Sequence, residues 1–250
     1  MTKFVIFTTP RTGSTLLIKT LDTHPEIMCA GEIFFFKGSA FHNECRYPFI
    51  RVPFIGGKLN YVVNYPFIWL KLGGFLNRFF AGNSKAEKAR GFKLMQYQTY
   101  YTPGILNYFK KNNVKVLVLI RKNILRNTLS DLRARSTGVY HNTGEVKSAA
   151  VPKFRVDLHE LKQKMNEIEG FNKQLEKASA SLDRKIIYYE DFENWNQTIS
   201  AVLGYIGVAD IQLKAASNKL NPEKLQDMIE NYEEVNKWLS ENGYGAFADA

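Results

Sequence analysis

The segment that most constrains this chain lies near its N-terminus, where an apolar run is followed by a short polar loop and a helical pattern. Phe4–Thr8 is typical of a buried strand, and Ser14–Leu17 of the first turn of a helix. A loop between such elements presents backbone N–H groups and the positive end of a helix dipole to an anion. Ser14 and Thr15 add hydroxyl donors, and Arg11 adds a guanidinium that fits phosphate or sulfate oxygens. The loop therefore predicts a site for a phosphate-like group.

The loop differs from that of nucleotide kinases at two positions. The pattern GxxxxGK[ST] requires a first glycine and a lysine, and this chain has Thr8 and Ser14 there. Without the lysine the loop is poorly equipped for ATP chemistry. A kinase-like phosphotransferase, which would act on a nucleotide or a sugar, is therefore an alternative rather than the leading hypothesis.

Composition indicates a folded, basic protein. The 250 residues are 45% hydrophobic and 14% aromatic, which is enough for a substantial core and argues against disorder. The net charge of +10 favours an anionic ligand, such as a nucleic acid, an acidic glycan or a phosphorylated cofactor. A non-catalytic polyanion-binding protein is thus a second alternative. No zinc-finger, RNP-like or arginine-rich motif supports nucleic-acid binding, so we expect no nucleic-acid partner.

The cysteines and the N-terminus give an expectation about location. Cys29 and Cys45 have neither CxxC nor metal-type Cys/His spacing, so no metal site is expected, while a disulfide between them stays open. The sequence shows no secretory signal and no run of about 20 apolar residues that would span a membrane. These features predict a cytoplasmic protein. They leave its oligomeric state open.

Strand-like and helix-like segments alternate along the chain. The predicted strands are Lys3–Thr8, Gly91–Met95, Val114–Ile120 and Lys185–Tyr189. The predicted helices are Ser14–Thr23, Ile124–Arg135, Asp157–Leu182, Gln197–Ile206 and Pro222–Leu239. Short apolar runs separated by amphipathic helices are typical of a parallel sheet covered on both faces. We therefore predict an α/β fold, a three-layer α/β/α sandwich around a mainly parallel sheet, as one domain over residues 1–250.

An aromatic-rich stretch at about 34–90 interrupts this alternation. It is crowded with Phe, Tyr, Pro and Gly, and its periodicity is poor, which predicts an irregular insertion. Its aromatic residues would form a local core, line a ligand cleft or make a peripheral membrane contact. Because no clear amphipathic helix is visible, the sequence favours the first two interpretations.

A second group of cations follows the strand that ends at Ile120. Arg121 stands at the strand end, with Lys122 and Arg126 after it, and Ser130 lies more than two turns into the next helix. Ligands of open parallel sheets bind beyond the carboxyl ends of the strands. Two anion sites at neighbouring strand ends predict a ligand with two separated phosphate-type groups.

At this point the chain resembles the sulfotransferases that use 3′-phosphoadenosine 5′-phosphosulfate (PAPS). The family's 5′-phosphosulfate loop is similar to residues 10–15, and its 3′-phosphate motif to Arg121 and Ser130. Further segments resemble the bacterial carbohydrate sulfotransferases of the Stf0 and NodH type. These segments are residues 21–25, 31–34, 91–95, 137–141, 189–192 and 229–234. The resemblance implies a P-loop-like sulfotransferase fold.

The resemblance also implies a reaction and its donor site. A sulfuryl group would pass from PAPS to a hydroxyl, on a carbohydrate or glycolipid, by in-line displacement and without a metal, and PAP would be the product. The donor-binding residues would be Arg11, Thr12, Gly13, Ser14, Thr15, Arg121 and Ser130. Many members space the 3′-phosphate Arg and Ser eight residues apart, which here would select Lys122. We favour Arg121 because it directly follows the strand.

The resemblance assigns the general base to Glu32. Ile33 and the phenylalanines after it would partly desolvate this carboxylate, and an apolar environment favours proton uptake. The alternative is a structural carboxylate paired with a nearby arginine. Arg11 and Lys93 would offset charge that develops at the transferring group. His141 is a rival base or an acceptor-binding residue.

Overall fold

The protein forms an α/β structure around a parallel sheet. The computed structural model describes residues 1–35, 41–50, 57–82, 84, 86–137, 153–216 and 224–247. The strands are β1 (Thr2–Thr8), β2 (Ile27–Ala30), β3 (Ala89–Met95), β4 (Lys115–Ile120) and β5 (Arg184–Tyr188). The helices are α1 (Ser14–Leu21), α2 (Gly57–Ala81), α3 (Ile105–Lys111), α4 (Ile124–Thr137), α5 (Leu158–Ser179), α6 (Trp195–Ile206), α7 (Leu225–Met228) and α8 (Tyr232–Glu241). Short 3-10 helices cover Asn43–Cys45, Gln96–Tyr100, Tyr189–Asn194 and Gly245–Phe247.

The sheet has the order β2-β3-β1-β4-β5, and every neighbouring pair is parallel. In the register of β1, Ile6 lies opposite Lys93 of β3, and Thr8 lies opposite Met95 of β3 and Leu119 of β4. The carboxyl ends of the three central strands therefore meet at one edge of the sheet. The predicted mainly parallel sheet and the predicted α/β class are confirmed.

Alternate residues of each strand face opposite helical layers. One face of β1 carries Val5 and Phe7, which belong to a core that includes residues of α2 and α3. The other face carries Phe4 and Ile6, which belong to a core that includes residues of α1 and α6. Burial on both faces explains why the central strands are continuous apolar runs in the sequence.

The described residues form two compact units. The first comprises residues 1–120 and 174–216 and contains the whole sheet. The second comprises the described residues within 121–173 and 217–250. Its buried core is drawn from α4, α5, α7 and α8. The organisation of the chain as one domain stays a prediction.

The helix predicted over Pro222–Leu239 is wrong as a continuous element. Residues 217–223 lie outside the described residues, and the chain after them forms two separate helices, α7 and α8. Between them Ile229 adopts an extended backbone and forms a parallel bridge with Phe154. The Glu230 N–H donates to the Phe154 carbonyl oxygen, and this non-local pairing interrupts the helix.

The stretch at 34–90 is also more regular than the sequence predicts. Residues 57–81 form the 25-residue helix α2, which continues through Pro66. Just before that proline, Asn64 accepts a hydrogen bond from the Ile50 N–H and donates one to the Ile50 carbonyl oxygen, both at 2.8 Å. Among the described helices, α2 included, none combines the length and the apolar character needed to cross a bilayer.

Both cysteines are free thiols. Cys29 is fully buried in β2, and burial raises the pKa of its thiol well above the usual value. The disulfide that the sequence left open is absent.

Gly91 of β3 lies opposite Phe4 of the paired strand β1, and its lack of a side chain leaves room for the Phe4 ring. A Cβ atom at this position would lie 2.5 Å from the Phe4 ring, so Gly91→Ala forces a buried ring to move. We expect a loss of about 1–3 kcal/mol in the free energy of unfolding, measured by chemical denaturation. Gly73→Ala in α2 is the control, since nothing lies within 4 Å of its Cβ position. An equal loss in both variants would contradict the packing argument.

Candidate active site

Hydrogen bonds among threonine side chains hold the loop that connects β1 to α1. The Thr8 hydroxyl donates to the Leu119 carbonyl oxygen of β4 at 2.8 Å. The Thr8 and Thr12 hydroxyl oxygens are 2.6 Å apart. Both side chains are buried, so the loop is tied to the central strands of the sheet. The Thr12 hydroxyl is therefore part of the scaffold of the loop.

The loop uses two left-handed backbone conformations. Arg11 has φ of 63° and Gly13 has φ of 79°. A Cβ atom at Gly13 would also lie 2.7 Å from the Tyr189 ring and 3.3 Å from Phe192. The backbone angle favours glycine at position 13, and the close approach of Tyr189 leaves no room for a Cβ atom there.

Helix α1 begins directly after this glycine. The Gly13 carbonyl oxygen accepts the Leu17 N–H at 3.1 Å, and the first turn contains no acidic residue. The first N–H groups of an α-helix have no intrahelical carbonyl partner, so they are available to an anion. Ser14 is buried, while Arg11 and Thr15 are half-buried. The role of this loop as an anion site stays a prediction.

The structure brings Glu32 and Lys93 together as an ion pair in which the lysine is buried and the glutamate is largely buried. Glu32 follows β2, and Lys93 lies in the neighbouring strand β3. The Lys93 Nζ is 2.9 Å from the Glu32 Oε1, and the lysine and glutamate side chains are 8% and 14% exposed respectively. The cation beside Glu32 is thus a lysine, whereas the structural alternative raised from the sequence was an arginine.

The second oxygen of Glu32 has further donors that sequence reasoning missed. Its Oε2 accepts a hydrogen bond from the Gln98 Nε2 at 3.0 Å and another from the Tyr97 hydroxyl at 3.4 Å. Both donors come from the 3-10 helix that follows β3. They fix the carboxylate in one orientation with one oxygen directed at Lys93. Their only signal in the sequence was their place directly after a strand end.

Arg121 and Ser130 belong to the second compact unit. Arg121 follows β4 and is half-buried, whereas Lys122 is exposed. Ser130 lies in α4 and is buried. The Asn123 side-chain oxygen accepts the Arg126 N–H at 2.8 Å, a typical helix cap.

Asn127 is a residue that sequence reasoning missed. It is 1% exposed, and its Nδ2 has no hydrogen-bond partner among the described residues. Asn127 and Ser130 are three residues apart in α4 and therefore lie on one helix face. Because a buried amide donor without a partner is costly, this face suits a polar ligand.

Two further predictions concern His141 and the absence of a metal site. His141, the rival base, lies outside the described residues. Among the residues that the structure describes, no cluster of three or more His, Cys, Asp or Glu side chains could hold a metal ion.

No protein-family model matches this chain, and no curated protein matches it. Among solved structures, it is similar to a sulfotransferase from Alicyclobacillus acidocaldarius, with a TM-score of 0.52 and 16% sequence identity over 100% of this chain and 96% of that one. It is also similar to the sulfotransferase domain from the curacin biosynthetic pathway, with a TM-score of 0.51 and 13% identity over 91% of this chain and 82% of that one. The chain has a sulfotransferase-like fold. The fold that the sequence resemblance implied is confirmed.

The Glu32–Lys93 pair generates a stability prediction. Lys93→Met leaves the Glu32 carboxylate buried without its cation, which we expect to cost about 3 kcal/mol in the free energy of unfolding. In the Glu32→Gln background no such charge remains, so the same substitution costs about 1–3 kcal/mol less. Urea denaturation of the four proteins in this double-mutant cycle measures the coupling. Strictly additive losses would show that the pair does not interact.

Proposed function

We propose that this protein is a sulfotransferase that moves a sulfuryl group from PAPS to an acceptor hydroxyl. The observation that carries the proposal is the combination of the left-handed Gly13 loop with the buried Glu32–Lys93 pair on a sulfotransferase-like fold. A loop that offers backbone donors suits a phosphosulfate group, and a buried carboxylate suits a general base.

The residues present fit the donor. In this proposal the Arg11–Thr15 loop binds the 5′-phosphosulfate through Arg11, the backbone N–H groups after Gly13 and the hydroxyls of Ser14 and Thr15. Arg121 and Ser130 bind the 3′-phosphate, and the buried Asn127 amide offers a further donor beside Ser130. When bound, PAPS supplies a sulfuryl group on a good leaving group, and PAP remains after transfer.

Glu32 is the proposed base. Its carboxylate, held by Gln98 and Tyr97, receives the proton of the acceptor hydroxyl. Lys93 fixes the other oxygen and, together with Arg11, provides positive charge where negative charge develops. We infer that no metal ion is required, because the side-chain cations and backbone donors serve the same electrostatic role. The acceptor, on a carbohydrate or glycolipid, and the cytoplasmic location stay predictions.

Donor affinity tests the binding residues. We expect Arg11→Ala and Ser130→Ala each to weaken binding of adenosine 3′,5′-bisphosphate, Arg11→Ala by about tenfold or more because it removes a charged donor. Isothermal titration calorimetry measures the affinity. Arg121→Ala should weaken binding more than Lys122→Ala does, which decides between the two candidates for the 3′-phosphate.

Arg135→Ala is the matched control for these variants. Arg135 is an exposed arginine of α4 that pairs with Asp131 at 2.8 Å, so its removal should leave the affinity unchanged. Unchanged affinity in both Arg11→Ala and Ser130→Ala would overturn the donor site.

Turnover tests the base. Incubation with radiolabelled PAPS and a metabolite extract, with identification of the labelled product, first gives the acceptor. With that acceptor, Glu32→Gln should lower the rate by about 10²–10⁴-fold while affinity for adenosine 3′,5′-bisphosphate is retained.

Glu87→Gln supplies the matched control, because Glu87 is buried to a similar degree as Glu32 and pairs with Arg90 at 2.7 Å. Equal rate losses in the two variants would remove the case for Glu32 as the base. Magnesium-dependent consumption of ATP, with no transfer of label from PAPS, would instead support the kinase alternative.

A further inference from the structure

Helix α2 presents a large apolar face to solvent. Trp69 is 65% exposed and Leu70 is 70% exposed. Further exposed apolar side chains on the same helix are Leu59, Val62, Val63, Tyr65 and Phe67. Many of these side chains are separated by steps of three or four residues, so they form a continuous stripe along the helix.

This stripe is not needed for the fold of the first unit. The opposite face of α2 already supplies the core with Ile68, Leu72, Leu76 and Phe79, all buried. The outer face of a surface helix is normally polar. A contiguous apolar patch of large side chains marks a surface that something else covers.

The charge of α2 indicates what covers it. Residues 57–81 contain Lys58, Lys71 and Arg78 but no aspartate or glutamate. Lys71 and Arg78 are exposed, and the whole chain carries a net charge of +10. A second copy of the same face would bring like charges together, whereas an anionic surface would complement them.

The side-chain types indicate a lipid surface rather than a protein. Tyr65 and Trp69 combine an apolar ring with a polar group, and such residues favour the boundary between headgroups and acyl chains. Lysine and arginine beside an apolar helix face are typical of helices that lie in the plane of a membrane interface. We propose that the outer face of α2 binds the surface of a membrane rich in anionic lipids, with the helix lying on the bilayer and not crossing it.

The two faces of α2 bear on different interpretations of the stretch at 34–90. The sequence favours a local core or a cleft there because no clear amphipathic helix is visible, and the buried residues of α2 belong to such a core. The structure shows that one face of α2 alone supplies the core, which leaves the other face to contact lipid.

Vesicle binding tests the proposal on the intact chain. Co-sedimentation should show binding to vesicles of phosphatidylcholine mixed with phosphatidylglycerol, and binding at least about tenfold weaker to phosphatidylcholine alone. Leu70→Glu should weaken binding to the mixed vesicles by about tenfold or more, since it places a charge in the apolar stripe. Lys71→Gln should weaken it roughly fivefold through the loss of one surface cation.

Ile211→Glu is the matched control, because Ile211 is an exposed apolar residue of the same unit outside α2. It should bind the mixed vesicles as the unaltered chain does. Brominated lipids should quench tryptophan fluorescence in the unaltered chain, which reports direct contact with lipid. Most of that quenching should be lost in Trp69→Phe, which assigns the contact to α2.

Absence of vesicle binding, or equal losses in Leu70→Glu and Ile211→Glu, would overturn the proposal. So would self-association in sedimentation velocity that Leu70→Glu abolishes without any binding to lipid, because a second copy of the chain would then cover the face. Neither outcome depends on sulfotransferase activity.

Discussion

Parallel pairing of β1 with both β3 and β4 is the constraint on which the candidate site depends. It brings the carboxyl ends of three strands to one edge of the sheet. It also places the Thr8 hydroxyl within hydrogen-bonding distance of the Leu119 carbonyl oxygen. The loop after β1 is therefore anchored before any ligand arrives. Anchoring of this kind reduces the reorganisation that binding of an anion would require.

The buried pair of Glu32 and Lys93 depends on the same sheet. Each charge alone would be costly inside the protein, and only the neighbouring strands β2 and β3 bring them within 2.9 Å. Gln98 and Tyr97 satisfy the remaining oxygen. These contacts favour one geometry of the carboxylate over many, which suits the role of base proposed for Glu32.

The sequence predicted the central strands and the position of the loop between β1 and α1, because both have strong local signals. β1 and β4 are continuous apolar runs, and the loop follows one of them directly. β2 was missed because its four residues are too few to show a pattern. α2 was missed because its two apolar faces remove the periodicity of an amphipathic helix, and Pro66 and three glycines lower its intrinsic propensity.

Contacts between segments that are distant in the sequence could not be predicted. The Glu32–Lys93 pair requires the order of β2 and β3 in the sheet, and the break between α7 and α8 requires the bridge from Phe154 to Ile229. The unsatisfied amide of Asn127 depends on burial, which a helical pattern does not report. Position along the chain suggested the residues of each site but not their pairing.

The conformation of Gly13 limits which amino acids position 13 can hold. Its φ of 79° is one that residues with a side chain rarely adopt, and the Tyr189 ring fills the space that a Cβ atom would take. Tyr189 begins the 3-10 helix that follows β5, the edge strand of the sheet. A point mutation in the loop after the central strand would therefore disturb a segment more than 170 positions away along the chain.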